Sequence, residues 1–374
     1  MAPEVRCAVL LPVARCGGHE AMLIEWLRVA VARYGLRPTL VCSHEAQLLE
    51  RCAAAQLPVA PQPYPGDAAR GVRRRLIDFA VSWRAIRALP RGLPILLAPG
   101  LVQSNPQHLL AALLLRRRVA CYVPMAFGAA QLGLPWARAR DAIVAPLAAR
   151  VALWLTITPQ QAELLRRVWH VRVPVQVIPN RLALLSRPAA PRAAAVPDAP
   201  LRVRYIGRFD RHQKGLDWLA GVLREQAGRR PWLRMSFQGE GEFEPELRRL
   251  AGLQDAAVEV LPWGDVGRGL QDTDVLLLAS RYEGLPLVAV EAAHQGVAVV
   301  ASTQSGLDDV LPPSCLYAFG DAPALLRALE GMREPGARAA AAAAAGERLG
   351  RLLAEPQFDE AVRAAVRAIG ALGG

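Results

Sequence analysis

Two carboxylates and two cations in the second half of this 374-residue chain have the types and spacing to hold a phosphorylated, hydroxyl-bearing ligand. Glu283 and Glu291 are separated by seven residues within SRYEGLPLVAVEAAHQ. An apolar run precedes this segment, a loop of Glu283, Gly284, Leu285 and Pro286 opens it, and Leu287 starts a helical pattern. A helix N-terminus preceded by Gly and Pro presents backbone N–H groups to an anion. Glu291 sits in the otherwise apolar LVAVEAA, where burial is unfavourable without a hydroxyl or amide partner, and a ribose diol is such a partner. The plain alternative is a surface helix with two solvated carboxylates. Upstream, Gly207 and Arg208 follow a strand, and Lys214 and Gly215 precede a helix. Two cations flanking one polar loop are placed to converge on a diphosphate; otherwise they belong to a solvated turn. Lys214 is the single lysine among 45 basic residues, and a compact ammonium suits a point contact to phosphate. In the first half, Gly17 and Gly18 follow the first strand, and the missing Cβ atoms let a ligand approach the backbone closely. His19 and Glu20 read as caps of the helix that begins there.

The elements that must position these residues come from periodicity. Short apolar or β-rich runs at 7–11, 39–42, 95–98, 119–123, 151–156 and 175–178 alternate with helical patterns, clearest at 20–33 and 159–168. The Pro/Ala-rich stretch 186–200 reads as a linker. A second alternation follows, with strands at 201–206, 234–238, 258–261, 275–279 and 298–302, and helices at 216–225, 245–251 and 287–294. Alternating strands and helices predict parallel sheets covered on both faces, with ligands beyond the carboxyl ends of the strands. The expected organisation is a domain over 1–185, a linker over 186–200, a second domain over 201–355 and a C-terminal helix in 356–374 packing back on the first domain.

Composition narrows the classes. Six cysteines without a C-x-x-C pair suggest buried thiols in a reducing compartment, with neither a disulfide framework nor a zinc site. The N-terminus lacks a signal-peptide layout, and no run of about 18 apolar residues reads as a membrane span. Residues 1–185 hold 23 Arg against 9 Asp and Glu, a net of +14, while the remainder is −2. An excess confined to one half implies an anionic partner there. With no helix-turn-helix, aromatic RNA-binding motif or zinc finger, a membrane face or phosphorylated lipid acceptor is the expected partner, and nucleic acid is not. The pattern at 72–89, with Val72, Leu76, Phe79, Trp83, Ile86 and Leu89 on one stripe, suits either a bilayer surface or packing on the sheet.

Taken together, EGLPLVAVEA after a strand, GR-x5-KG before a helix, QGEGE at 238–242 and VIPN at 177–180 resemble the retaining family 4 glycosyltransferases (glycosyl transferases group 1) over residues 175–310. The resemblance implies the α/β GT-B fold, two Rossmann-like domains facing each other across a cleft. It implies a retaining hexosyltransferase that moves a sugar from a nucleoside-diphosphate sugar, the co-substrate, to a glycan or lipid-linked acceptor of the bacterial envelope. No metal or other cofactor is implied. By position, Arg208 and Lys214 would hold and stabilise the donor diphosphate, Glu283 would bind sugar hydroxyls and Glu291 the ribose. Gly17, Gly18, Gly207, Gly284 and the N–H groups near Leu285, Pro286 and Leu287 would line the donor, with 261–264 beside the base. Many members carry a histidine just after the strand matching 119–123; ACYVPMAFG has none, and His108 lies before that strand. The expected location is the cytoplasm, free or peripheral on the inner face of the membrane. Two other readings stay open: a catalytically degenerate GT-B protein that binds a sugar nucleotide or a partner, and a sugar-nucleotide epimerase. The latter needs acid/base groups of which the first half offers few.

Overall fold

The computed structural model describes residues 4–12, 16–64, 71–104, 106–181, 199–253 and 257–373. The expected linker over 186–200 falls outside them apart from its last two residues. The chain divides into two compact units, one running to Arg181 and taking back the chain from Leu353, the other ending at Leu352.

The first unit contains β1 (Val5–Leu11), α1 (Gly18–Tyr34), β2 (Leu36–Cys42), α2 (Ala46–Ala54), β3 (Val59–Pro61), α3 (Gly71–Ala88), β4 (Ile95–Leu97), α4 (Pro106–Leu114), β5 (Val119–Tyr122), α5 (Ala137–Ala148), β6 (Leu153–Thr156), α6 (Pro159–Trp169) and β7 (Val175–Val177). Its strands form one parallel sheet in the order β3-β2-β1-β4-β5-β6-β7. β4, β5 and β6 are buried along their whole length, as continuous apolar runs covered by helices on both faces must be. The second unit contains β8 (Leu201–Ile206), α7 (Leu216–Gln226), β9 (Leu233–Gln238), α8 (Glu244–Ala251), β10 (Val258–Leu261), α9 (Val266–Gln271), β11 (Val275–Leu278), α10 (Leu287–His294), β12 (Ala298–Ser302), β13 (Leu316–Tyr317), α11 (Ala322–Gly331) and α12 (Pro335–Leu352). Its sheet is parallel in the order β10-β9-β8-β11-β12-β13.

Strand order reverses between β1 and β4 in the first sheet and between β8 and β11 in the second. These are the switch points where a doubly wound sheet opens a crevice at its carboxyl edge. In the second sheet the opening is visible in the register. β11 pairs with β8 only through Val275↔Val203 and Leu276↔Arg204, although β8 runs on to Ile206 and β11 to Leu278.

The last helix, α13 (Glu355–Ala371), packs on α1, β1, β6 and β7 of the first unit. An ion cluster fastens its start. Arg181 donates to Glu25 at 2.5 Å and to Glu355 at 2.6 and 3.0 Å, and its guanidinium lies 5.5 Å from the Phe358 ring centre. Glu25 is buried and also accepts from Arg28 at 2.8 and 2.9 Å. Burial pushes its carboxyl up, but the hydrogen bonds from Arg28 and Arg181 outweigh that and hold it below its ordinary value. A carboxyl depressed in the folded state adds stability above its unfolded pKa, and that stability is lost as pH falls through the folded value. Arg181→Ala is therefore expected to destabilise the first unit by about 2 kcal/mol at neutral pH, because it strips a buried carboxylate of a partner. Urea denaturation should show the gap between variant and wild type narrowing under acid.

The amphipathic pattern at 72–89 folds as α3, and its stripe divides: Phe79, Trp83, Ile86 and Leu89 pack on the core of the first unit, whereas its first two residues do not. Val72 and Leu76 are 73% and 65% exposed, and the fully buried line is Asp78, Val81, Ser82, Ala85 and Ile86. Two of those are polar and satisfied. Asp78 accepts from Gln107 at 3.1 Å, and Ser82 bridges Tyr64 (3.0 Å) and His108 Nδ1 (2.6 Å). A hydrophobic count cannot see such a pairing, so it leaves Asp78 and Ser82 off the buried line. Among the described residues no helix is long and apolar enough to cross a membrane, and all six cysteines are free thiols.

Candidate active site

The loops leaving β8 and β11 meet at the second sheet's switch point, and three of the four charged residues singled out from sequence lie on them. β8 ends at Ile206 and the chain passes through Gly207, whose N–H donates to Gln238 O at 3.0 Å. The neighbouring QGEGE turn packs directly on this exit. A Cβ on Gly239 would run into the Gly207 carbonyl, and Phe209 N donates to Glu240 O at 2.7 Å. That motif is thus a backbone seat for the 207–209 segment. Phe209 is fully buried, which turns Arg208 outward, and Tyr205 O–H donates to the Arg208 carbonyl at 2.6 Å. Arg208 itself is exposed and donates to Gln213 Oε1 at 3.1 Å.

Lys214 is brought to the second loop by Gly215. This glycine caps α7 with φ +65°, and a Cβ on it would overlap the Ala279 carbonyl oxygen at the end of β11 and lie 2.7 Å from the Phe319 ring. Only glycine lets the two chain segments touch there. The Lys214 ammonium then ion-pairs with Glu283, whose same oxygen accepts from the Ser280 hydroxyl at 3.1 Å. Glu283 is buried, and its N–H donates to Gln304 O at 3.1 Å.

Arg281, which sequence reading passed over, ties the loops together. Its N–H donates to Gln213 O (2.8 Å), and its guanidinium donates to His212 O (2.7 Å) and in bidentate fashion to Asp217 (2.8 and 3.0 Å). It also lies 4.6 Å from the Phe319 ring centre. Burial pushes the Asp217 carboxyl up, yet the Arg281 hydrogen bonds prevail and hold it below the usual range. The signal was available: an arginine beside Glu283, and an acid in the first turn of α7. Nothing in the linear order said that they meet.

Gly284, Leu285 and Pro286 are buried, Leu287 is half-buried, and Pro286 caps α10 without any side-chain acceptor for the first N–H groups. An uncapped helix start at a switch point is a seat for an anion. Glu291, one turn into α10, stands apart from the Lys214–Glu283 pair. It is half-buried, no hydrogen bond to its carboxylate is seen among the described residues, and burial, then the Asp265 charge, raise its pKa to about 7. A carboxyl raised in the folded state keeps its proton between the unfolded and folded values, so stability falls as pH climbs from about 4.5 to about 7 and then levels. Glu291→Gln is expected to flatten that slope, a difference on the order of 1–3 kcal/mol across the window, read from thermal melts at stepped pH.

In the first unit, Gly17 and Gly18 occupy the matching edge beyond β1 and are exposed. Gly17 is the N-cap of α1, and its N–H donates to Glu20 at 2.8 Å, so Glu20 does cap the helix. His19 does not cap. Its ring stacks on Tyr122 at 5.3 Å, with Nε2 3.3 Å from Ala98 O, and burial lowers its pKa. An imidazole therefore stands beside the last residue of β5, although it comes from α1 and not from the segment after the strand. His108 is buried in the α3–α4 layer, where burial lowers its pKa to about 3.

Residues 200–334 match the family Glycosyl transferases group 1. The chain is 30% identical to the Arabidopsis thaliana sulfoquinovosyl transferase SQD2 over 117 residues, 31% of this chain and 22% of that protein. It is 31% identical to the Salmonella typhi Vi polysaccharide biosynthesis protein VipC/TviE over 112 residues, 29% of this chain and 19% of the relative. The matched region thus spans about a fifth of the length of these curated relatives. Over the whole chain the fold is similar to the sucrose-phosphate synthase of Thermosynechococcus elongatus (TM-score 0.74, 20% identity, covering 98% and 100% of the two chains). It is also similar to Anabaena HepE solved with UDP and glucose (TM-score 0.70, 15% identity, covering 97% and 98%). Residues 200–334 are thus a glycosyl transferases group 1 domain, and the chain as a whole has the two-sheet α/β fold of the GT-B glycosyltransferases.

Proposed function

We propose that this protein is a retaining glycosyltransferase that takes a sugar from a nucleoside-diphosphate donor and delivers it to a glycan or lipid-linked acceptor in envelope polysaccharide or lipopolysaccharide synthesis. The observation that carries the reading is the arrangement at the β8/β11 switch point. Arg208 and Lys214 flank the loop leaving β8, Lys214 pairs with the buried Glu283 on the loop that leads into the uncapped start of α10, and Ser280 donates to the same carboxylate. Bond breaking to a nucleoside diphosphate builds negative charge on the leaving oxygen, and fixed cations and N–H dipoles stabilise that charge without reorganising. Glu283, engaged on one oxygen, is placed to accept sugar hydroxyls on the other, and Glu291 to accept the ribose diol. The reaction proceeds by same-face attack through an oxocarbenium-like state, and the chain's own part is to bind, orient and neutralise.

HepE is solved with UDP-glucose, which makes UDP-glucose the first donor to try. The Vi polysaccharide relative and the similarly folded lipopolysaccharide outer core galactosyltransferase WaaB favour an envelope acceptor. We place the protein in the cytoplasm, in keeping with six unbridged cysteines. The test is a thermal-shift panel of nucleoside diphosphates and their sugars, followed by product NMR. A ligand at about 100 times its Kd should add roughly 2.7 kcal/mol. An axial donor anomer giving an axial product supports retention. An inverted product overturns it, and a panel with no responding nucleotide overturns the donor site.

A further inference from the structure

We propose that Arg281 is a positioning residue of the donor site, holding the Lys214 ammonium and the Glu283 carboxylate at their working separation. The inference rests on the donor reading above. The strands do not fix that separation, because the β8–β11 pairing ends at Leu276↔Arg204, short of both strand exits. Arg281 bridges the gap from the Glu283 side. Its N–H donates to Gln213 O at 2.8 Å, and its guanidinium donates to His212 O at 2.7 Å and to the two Asp217 oxygens at 2.8 and 3.0 Å. These acceptors bracket Lys214: His212 and Gln213 immediately precede it, and Asp217 follows it by three residues. On the other loop, Glu283 follows Arg281 by two residues. The guanidinium lies over the Phe319 ring, 4.6 Å from its centre, and Phe319 N–H donates to Gln304 Oε1 at 3.2 Å. Gln304 O in turn accepts from Glu283 N–H at 3.1 Å. The contacts close a circuit that runs from Lys214 through Arg281, Phe319 and Gln304 to Glu283, and back through the ion pair.

The residue type suits holding rather than binding. Both Nη atoms are engaged and Asp217 neutralises the charge, so Arg281 has little left to offer a phosphate. A planar fork meets a carboxylate at two points while its face stacks on a ring, which a lysine ammonium cannot do. With side chains 23% and 30% exposed, the Arg281–Asp217 pair belongs to the class that adds little to folding stability. What a bidentate pair supplies there is geometry. Stabilising a departing diphosphate depends on cations already in place, and a displacement of about 1 Å caused away from the reacting atoms can lower turnover about a hundredfold.

Lys214 is the single lysine of the chain, so NMR of protein grown with Cε-labelled lysine gives one resonance that reports this position alone. The variant Glu283→Gln supplies the position of that resonance without its partner. Arg281→Gln and Asp217→Asn are each expected to move it from the wild-type position toward the Glu283→Gln one, with urea midpoints close to wild type. In turnover of the donor that the nucleotide panel identifies, kcat is expected to fall roughly 10- to 100-fold in each, with the smaller share of the effect in donor KM. The double variant should be no slower than the slower single one, because both substitutions open the same clamp. Arg281→Lys keeps the charge without the fork and should recover little of the loss. A lysine resonance unmoved by Arg281→Gln overturns the proposal, as does an unchanged kcat in that variant or full recovery by Arg281→Lys. A wild-type protein that turns over no donor removes the donor reading instead, and the lysine resonance still decides whether Arg281 holds Lys214 against Glu283.

Discussion

Replacing Lys214 with alanine is expected to lower turnover of the donor by about 10²–10³, the effect of deleting one preorganised group that stabilises a developing oxyanion. The substitution has a second consequence from the geometry. Lys214 pairs with the buried Glu283, and removing it leaves a carboxylate with, among the described residues, only the Ser280 hydroxyl for compensation. A stability loss of about 2 kcal/mol is expected alongside the kinetic one, below the range for a fully buried pair because Lys214 is partly exposed. The double variant Lys214→Ala, Glu283→Gln separates the two effects. Neutralising the stranded carboxylate should restore most of the melting temperature while turnover stays low. If the double variant regains turnover, Lys214 acts only as a structural counterion.

The other large effect is expected at Gly215. Gly215→Ala places a methyl group onto the Ala279 carbonyl oxygen at a backbone φ of +65°, so the left-handed penalty of about 1–2 kcal/mol adds to a main-chain overlap that no side-chain rotation relieves. Either the end of β11 or the start of α7 must move, and the loops attached to them carry site residues. A destabilisation of about 3–5 kcal/mol is expected, together with loss of the nucleotide-induced thermal shift. Gly221, on the same helix, has open space around it. Gly221→Ala should leave the site intact and raise stability by about 0.5–1 kcal/mol through helix propensity. An unchanged melt for Gly215→Ala would mean that the two loops do not meet as described.

Much of the scaffold was legible because buried parallel strands write themselves as continuous apolar runs. The strand at 201–206, the helix at 287–294 and the strand at 298–302 fold with the bounds that periodicity predicts. The misses share a cause. β3 is three residues ending in Pro61 and lies at the sheet edge, and β13 is two residues long; neither is long enough to show a period. α5 contains Pro146 and begins at a tryptophan, against both helix propensity and capping rules. α3 was seen as a helix, but its buried line includes Asp78 and Ser82, whose partners come from other elements.

By itself the amino-acid order determined the chemistry on offer: a lone lysine, two carboxylates seven residues apart in an apolar setting, glycines at strand exits, and a first half rich in arginine. Those are properties of residue type and local spacing, which a chain displays before it folds. Only the tertiary structure decided which of them act together. Lys214 and Glu283 are 69 residues apart and become partners because Gly215 lets two strand exits touch. Arg281 becomes a clamp because Asp217 arrives from the neighbouring strand's helix. His19 leaves the helix cap for Tyr122 because its side chain points across the sheet edge. Each of these contacts is long-range in the chain, and their geometry is set by the packing of strands whose own sequences record only that they are buried.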